Sequence, residues 1–189
     1  MNITARNAAA SAVAFLFAGS LNAADPNLCA ACHGQAGNST NPVIPSLAGQ
    51  PAQSITMQLF QFREGNRKDP LMTPMAANLS NAEMNQLAEY FSKQPAAAPK
   101  HQSKPENAAN GTGLAKKYNC SQCHGPRLLG QQHIPRIAGQ NFEYLKVQLK
   151  GFKAGTRADI DGNMTSAAKA VPEQDLEALA DYLGGLAAN

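Results

Sequence analysis

Cys29-Ala30-Ala31-Cys32-His33 constrains this chain more than any other stretch. The same pattern returns as Cys120-Ser121-Gln122-Cys123-His124, and the two copies use every cysteine in the sequence. Two thiols three positions apart, followed at once by an imidazole, suit covalent attachment of a c-type haem. The thiols add to the two vinyl groups as thioethers, and the histidine is held beneath the iron as an axial ligand. A single C-x-x-C could instead be half of a zinc site or a thiol–disulfide motif. Two complete C-x-x-C-H motifs with no cysteine to spare favour two covalent haems. Cys29 and Cys32 would hold one, Cys120 and Cys123 the other, with His33 and His124 as iron ligands.

The chain repeats around these motifs. Cys29 and Cys120 lie 91 residues apart, and Ile44-Pro45-Ser46-Leu47-Ala48-Gly49-Gln50 recurs as Ile134-Pro135-Arg136-Ile137-Ala138-Gly139-Gln140 at an offset of 90. Gln58-Leu59, Phe62, Gly65 and Arg67 return at the same offset as Gln148-Leu149, Phe152, Gly155 and Arg157. Leu87-Ala88-Glu89-Tyr90 returns as Leu179-Ala180-Asp181-Tyr182 at 92, a drift that marks short loop insertions. The repeat predicts two modules, residues 24–94 and 108–189, joined by a linker over 95–107. Pro95, Pro99 and Pro105 keep that linker from being helical throughout.

Apolar residues at three- and four-residue spacing predict helices over 53–62 and 142–152, closed by Gly65 and Gly155. Ser80 and Glu83 are spaced as a capping box ahead of a helix through Met84, Leu87, Ala88 and Phe91. Pro172 opens its counterpart through Leu176, Leu179, Ala180 and Leu183. Residues 113–120 predict a short helix leading into the second motif; the first module has almost no room for one before Cys29. No strand pattern is present, so the fold class is all-α, with two haem modules in tandem.

The chain is 43% hydrophobic and has no Trp. Small domains bury little of their own surface, so a haem in each module supplies much of the missing core. A formal charge of +3 offers no electrostatic case for nucleic acid. Arg6 is the only charged residue before Asp25, residues 8–21 are apolar and small, and Ala23-Ala24 offers a cleavage point. Residues 1–23 are therefore expected to be a signal peptide, with an uncleaved anchor helix as the alternative. Export to the periplasm agrees with covalent haem, which bacteria attach outside the cytoplasmic membrane, and would leave unused thiols open to disulfide formation.

An iron held by one histidine takes a sixth ligand or stays open for chemistry, and methionine suits an electron carrier because its thioether raises the potential. The second half contains only Met164, whereas the first offers Met57, Met72, Met75 and Met84. Met164 lies seven residues before Val171 and eighteen before Tyr182; Met72 has the same spacings to Leu79 and Tyr90, and Met75 has neither. Met72 and Met164 are the expected sixth ligands. Met57 and Met84 read as core, and Met75 as pocket lining. His101 and His133 read as solvated loop residues; either would make a bis-His haem if it replaced a methionine. A carbonyl at Pro45 or Pro135 could accept the Nδ1–H of the ligand histidine and fix its tautomer. Arg67 and Arg157 suit haem propionates by their geometry, or else they are solvated surface arginines.

These features together resemble the dihaem cytochrome c4 family: two C-x-x-C-H modules, I-P-x-L/I-A-G-Q after each, Q-L-x-x-F-x-x-G-x-R, and a late Met before L-A-x-Y. The resemblance covers essentially the whole mature chain. It implies two class I cytochrome c domains related by a pseudo-twofold axis, each wrapped around one covalent haem, with His/Met irons close enough to exchange electrons. It further implies a periplasmic or peripherally membrane-associated carrier, passing electrons from the quinol-oxidising part of a respiratory chain towards a terminal oxidase. The short lead-in to Cys29, and Val171-Pro172 in place of Leu79-Ser80, depart from the pattern.

Six-coordinate iron leaves no position for substrate, so a carrier rather than an enzyme is expected. The alternative is the cytochrome subunit of a flavocytochrome (sulfide-type) dehydrogenase, taking electrons from a flavoprotein. A haem enzyme such as a peroxidase would need a five-coordinate or bis-His iron, which Met72 and Met164 oppose. Residues 24–98 hold four Lys/Arg against five Asp/Glu, a net of −1, and residues 99–189 eleven against eight, a net of +3. The second module is thus expected to face acidic partners, at rates that fall as salt rises.

Overall fold

A computed structural model describes residues 24–188 of the chain; the expected signal peptide, residues 1–23, lies outside the described residues. Helix α1 (Pro26–His33) starts where Asp25 accepts a hydrogen bond from the Asn27 amide (2.9 Å), with Pro26 in the first turn, where its missing N–H is no loss. It ends at Gly34, whose φ of +78° and close approach to Asn38 (a Cβ would lie 2.1 Å from the Asn38 carbonyl oxygen) admit only glycine. The chain therefore reverses directly after His33.

In the first module, α2 (Ala52–Arg63) packs against α4 (Asn81–Ser92), and the short α3 (Met72–Ala76) lies on α2. The expected capping box is formed: Ser80 Oγ accepts from the Glu83 amide, and the Glu83 carboxylate accepts from the Ser80 amide at 2.8 Å. Ile55, Phe62, Met84, Leu87 and Phe91 form the core. Each such side chain contributes roughly 1.5–3 kcal/mol by leaving water. The second module repeats this arrangement with α7 (Phe142–Ala154), α8 (Asn163–Lys169) and α9 (Glu173–Gly185), around Leu145, Val171, Leu176, Leu179 and Leu183. Among the described residues there is no strand; only one isolated bridge, Gln131 to Ile134, occurs. No helix among them is long and apolar enough to cross a membrane.

The modules differ at their starts. Helix α5 (Pro105–Lys117) begins well before the expected residue 113, and Asn119 in the left-handed region separates it from α6 (Cys120–His124). Asn107, Asn110, Gly111 and Gly113 are poor helix formers, but packing overrides propensity here. Gly111 is buried against Tyr182, where a Cβ would lie 2.0 Å from the ring, so glycine is what lets α5 rest on α9. Thr112 and the Tyr182 hydroxyl share a hydrogen bond there (2.9 Å). Among the described residues no helix precedes α1, and the corresponding Tyr90 is 39% exposed.

The linker is strapped to both modules. Asn38 donates to the Pro95 carbonyl (3.1 Å) and accepts from the Ala97 amide (2.8 Å). His101 is not solvated: it stacks on Phe142, with ring centroids 4.5 Å apart, and donates from Nε2 to buried Asp181 (2.7 Å). The same carboxylate accepts from the Lys104 amide and Asn107 Nδ2, both at 2.9 Å.

The contacts between modules are exchanged in pairs. Gln50 donates to the Arg136 carbonyl (3.0 Å) and accepts from the Arg136 amide (2.9 Å). Its repeat partner Gln140 donates to the Ser46 carbonyl (2.9 Å) and accepts from the Ser46 amide (2.8 Å). Ser46 and Arg136 are themselves repeat partners, so each module offers the other the same grip, as a pseudo-twofold relation requires.

Candidate haem sites

On α1 and α6 the two cysteines and the histidine fall at i, i+3 and i+4, which one helical face brings together. The first thiol of each motif, Cys29 or Cys120, is half-buried against its module's core, and the second, Cys32 or Cys123, is exposed. Burial pushes the Cys29 and Cys120 thiols up, with Asp25 adding to the effect at Cys29. His33 and His124 are buried. The first donates from Nδ1 to the Pro45 carbonyl (2.8 Å), the second to the Pro135 carbonyl (2.7 Å), as the sequence suggested. A carbonyl can only accept, so the proton sits on Nδ1 and Nε2 keeps its lone pair. Burial lowers both imidazoles below the ordinary histidine value, against the opposing pull of the proline carbonyls. Burial thus favours the neutral form of both rings, which is the form that can ligate a metal.

Met72 opens α3 and is half-buried, packed with Cys29 on the first core; Met164 is the second residue of α8 and also half-buried. The other first-module methionines separate from it. Met84 is core, as expected, whereas Met57 is only half-buried. Met75 stands 57% exposed on the surface rather than lining a pocket.

Two aspartates that sequence reasoning passed over hold these segments. Asp69 Oδ1 accepts from the Leu71 (2.9 Å) and Met72 (2.8 Å) amides. Asp159 accepts from the Met164 amide at Oδ2 (2.7 Å) and from the Thr165 amide at Oδ1 (3.0 Å). Burial alone would raise the Asp159 carboxyl, but hydrogen bonds from Thr165 and the Met164 amide hold it below the usual carboxylate value. The available signal was an Asp two residues after each repeated Arg and a Met-Thr pair beyond it.

Arg67 and Arg157 are not solvated surface residues. Each lies over its own module's aromatic ring, Phe62 at 4.4 Å and Phe152 at 4.3 Å. Arg67 donates to Gln58 (2.6 Å) in its own module and across the interface to Gln148 (3.0 Å) and the Tyr144 hydroxyl (3.1 Å). Arg157 donates to Gln148 (2.5 Å) and across to Gln58 (3.3 Å). Burial, together with the neighbouring Arg67 charge, lowers the Arg157 guanidinium to about 10. Its Nε is buried with no partner, and neither guanidinium pairs with a carboxylate among the described residues. Two facing cations and an orphaned donor are completed by an anion, and the propionate carboxylates of a haem fit that chemistry. A zinc site fits less well, because the described residues include no group of three or more His, Cys, Asp or Glu side chains placed to hold a bare metal ion.

Two helical modules, each with a C-x-x-C-H turn, an oriented buried imidazole and a tethered methionine segment, define a tandem c-type cytochrome. The Cytochrome c family model matches residues 23–95 and again 108–187. Cytochrome c4 of Thiocapsa roseopersicina is 38% identical over 170 residues, covering 84% of this chain and 87% of the relative. A thiosulfate dehydrogenase electron acceptor of Thiomonas intermedia is 36% identical over 167 residues, covering 82% and 76%. The crystal structure of reduced recombinant cytochrome c4 from Pseudomonas stutzeri superposes with a TM-score of 0.77 at 32% identity, over 84% of this chain and 93% of that one. The chain belongs to the dihaem cytochrome c4 family, binds two haem c groups covalently and is an electron carrier.

Proposed function

We propose that the haem of the first module is joined through Cys29 and Cys32 and ligated by His33 and Met72. In the second module Cys120 and Cys123 provide the attachment and His124 and Met164 the ligands. Each iron supplies a one-electron Fe(III)/Fe(II) couple. The chain's own part is to attach, orient and close the sites. The proline carbonyls fix each imidazole, the cores would shield the haem from water, and the methionine segments would supply the second ligand of each iron. The observation that carries this reading is the doubled His Nδ1–H to Pro carbonyl contact, at 2.8 and 2.7 Å, because it leaves Nε2 as the only free nitrogen of each buried ring.

On this reading the protein works in the periplasm, delivered by a signal peptide over residues 1–23. It takes electrons from a quinol-oxidising complex and passes them to a terminal oxidase. A second reading is favoured by the relative named as an electron acceptor of thiosulfate dehydrogenase. In that reading the donor is a sulfur-oxidising dehydrogenase. The surface supports different partners for the two modules. Exposed Lys116, Lys117 and Arg127 flank the second motif, where the repeat places Asp25, Pro26 and Ala36 around the first. The second module is accordingly the face for an acidic partner.

Met72→Ala and Met164→Ala test the ligand set. In the oxidised holoprotein each variant is expected to lose half of the sulfur-to-iron charge-transfer absorption, and the affected haem to shift in potential. Full absorption in Met72→Ala would pass the role to Met75.

A further inference from the structure

Resting on the ligand set proposed above, we infer that Asp69 and Asp159 are positioning residues for the two axial methionines. Each tethers the backbone from which its thioether reaches the iron. A methionine side chain is long and flexible, and its sulfur is a neutral ligand, so the position of its own backbone decides how firmly it is presented. Met72 is the first residue of α3 and Met164 the second of α8, within the first turn, where amides have no partner in the helix. In each module one carboxylate takes up the methionine amide, at 2.8 Å from Asp69 and 2.7 Å from Asp159.

The contact survives a change in spacing. The aspartate precedes its methionine by three residues in the first module and by five in the second, because the second loop is two residues longer. Accidental capping has no reason to follow the methionine through that insertion. A threonine after each methionine adds to the clamp. Thr73 Oγ1 accepts from the Asp69 amide (2.9 Å), and the Thr165 hydroxyl donates to Asp159 Oδ1 (2.5 Å).

The two clamps differ in which oxygens they use. Asp69 serves both the Leu71 and Met72 amides with Oδ1 alone. Asp159 uses Oδ2 for Met164 and Oδ1 for Thr165. An asparagine keeps one acceptor oxygen. Asp69→Asn can therefore retain both bonds, whereas Asp159→Asn retains only one side of its clamp.

The test uses the oxidised holoprotein and added imidazole, which displaces methionine from the iron. Loss of the sulfur-to-iron absorption is followed for each haem well below denaturing conditions. Asp69→Ala is expected to lower the imidazole concentration needed at the first haem by about tenfold, the factor that roughly 1.4 kcal/mol of one charge-assisted hydrogen bond carries. The second haem should be unchanged. Asp159→Ala should do the reverse; Asp69→Asn, which keeps both bonds but not the charge, should shift by less than Asp69→Ala, and Asp159→Asn should fall between its alanine variant and wild type. A residue that only stabilised the fold would leave these displacement curves alone and shift the unfolding midpoint. If both alanine variants bind imidazole as wild type does, while Met72→Ala and Met164→Ala each remove half of the absorption, the inference is wrong and the ligand set stands. If the methionine variants keep the full absorption, the ligand set itself fails. Should one alanine variant not fold, wild-type imidazole displacement at the corresponding haem of the other overturns the inference by itself.

Discussion

Removing the Gln50 side-chain amide asks whether the two modules fold as one unit. Gln50 is 7% exposed, and its amide makes two hydrogen bonds to the backbone of Arg136, at 3.0 and 2.9 Å. Gln50→Ala deletes both, at about 1 kcal/mol net each, and strands a buried N–H and C=O at a further penalty of about 1–3 kcal/mol. Water entering the gap recovers part of this, so the expected loss is about 2–4 kcal/mol. For a chain of this size about 2–4 °C of Tm accompanies each kcal/mol, which places the shift at about 5–15 °C. Gln140→Ala should match or exceed it, because Gln140 Oε1 also accepts from the Asn141 amide (2.9 Å). The assay is urea and thermal unfolding of the holoprotein, read separately through the absorption of each haem. Wild type should show one coincident transition, and Gln50→Ala/Gln140→Ala two. A Gln50→Ala midpoint within about 0.5 kcal/mol of wild type, the range of an ordinary surface change, with the transition still single, would show that these amides do not join the modules.

Two further outcomes follow from charge. Lys116→Glu/Lys117→Glu should slow reduction or oxidation by an acidic partner and flatten its dependence on ionic strength, as measured by stopped flow; Asp25→Ala should change neither. Burial tends to raise the Asp181 carboxyl, but hydrogen bonds from Asn107, His101 and the Lys104 amide hold it below the usual carboxylate value. A depressed carboxylate stabilises the fold above its unfolded pKa and loses that contribution as pH falls through the folded value. Stability of the second module should thus fall as pH drops below about 5, through the ordinary carboxylate range and on beneath it. Asp181→Asn should flatten this fall while losing about 1–3 kcal/mol at neutral pH, as seen in urea midpoints across that range.

What was legible in the sequence is what a local pattern determines. The C-x-x-C-H spacing, the Ser80–Glu83 capping box and the apolar stripes of α2, α4, α7 and α9 depend on residues a turn apart, and they appear as read. Even the His–Pro contacts could be foreseen, because the two motifs are tied to the two I-P segments at nearly constant distance. The failures arise where a distant surface overrides a local preference. Helix α5 starts early because Tyr182 accepts a glycine-bearing helix that propensity alone would break. His101 left the solvent for Phe142 and Asp181, which are remote in sequence. The Asp69 and Asp159 tethers were hidden by the insertion in the second loop, since the aspartates align at an offset of 90 and the methionines at 92.

The interface also explains which residues the repeat preserves. A residue that serves only its own module can diverge after duplication, as Asp25 and Lys116 have done. A residue lying across a pseudo-twofold axis meets its own kind of surface from the other side, so the same side chain can serve the interface twice. Gln50 with Gln140, Gln58 with Gln148, and Arg67 with Arg157 are all of this second type, each engaging the opposite module in the same way. Their repetition, read along the chain as the mark of two haem sites, is equally the mark of one shared face. Divergence on the outer surface, with the basic rim around the second motif and its absence around the first, leaves that face intact while allowing the two modules to meet different partners.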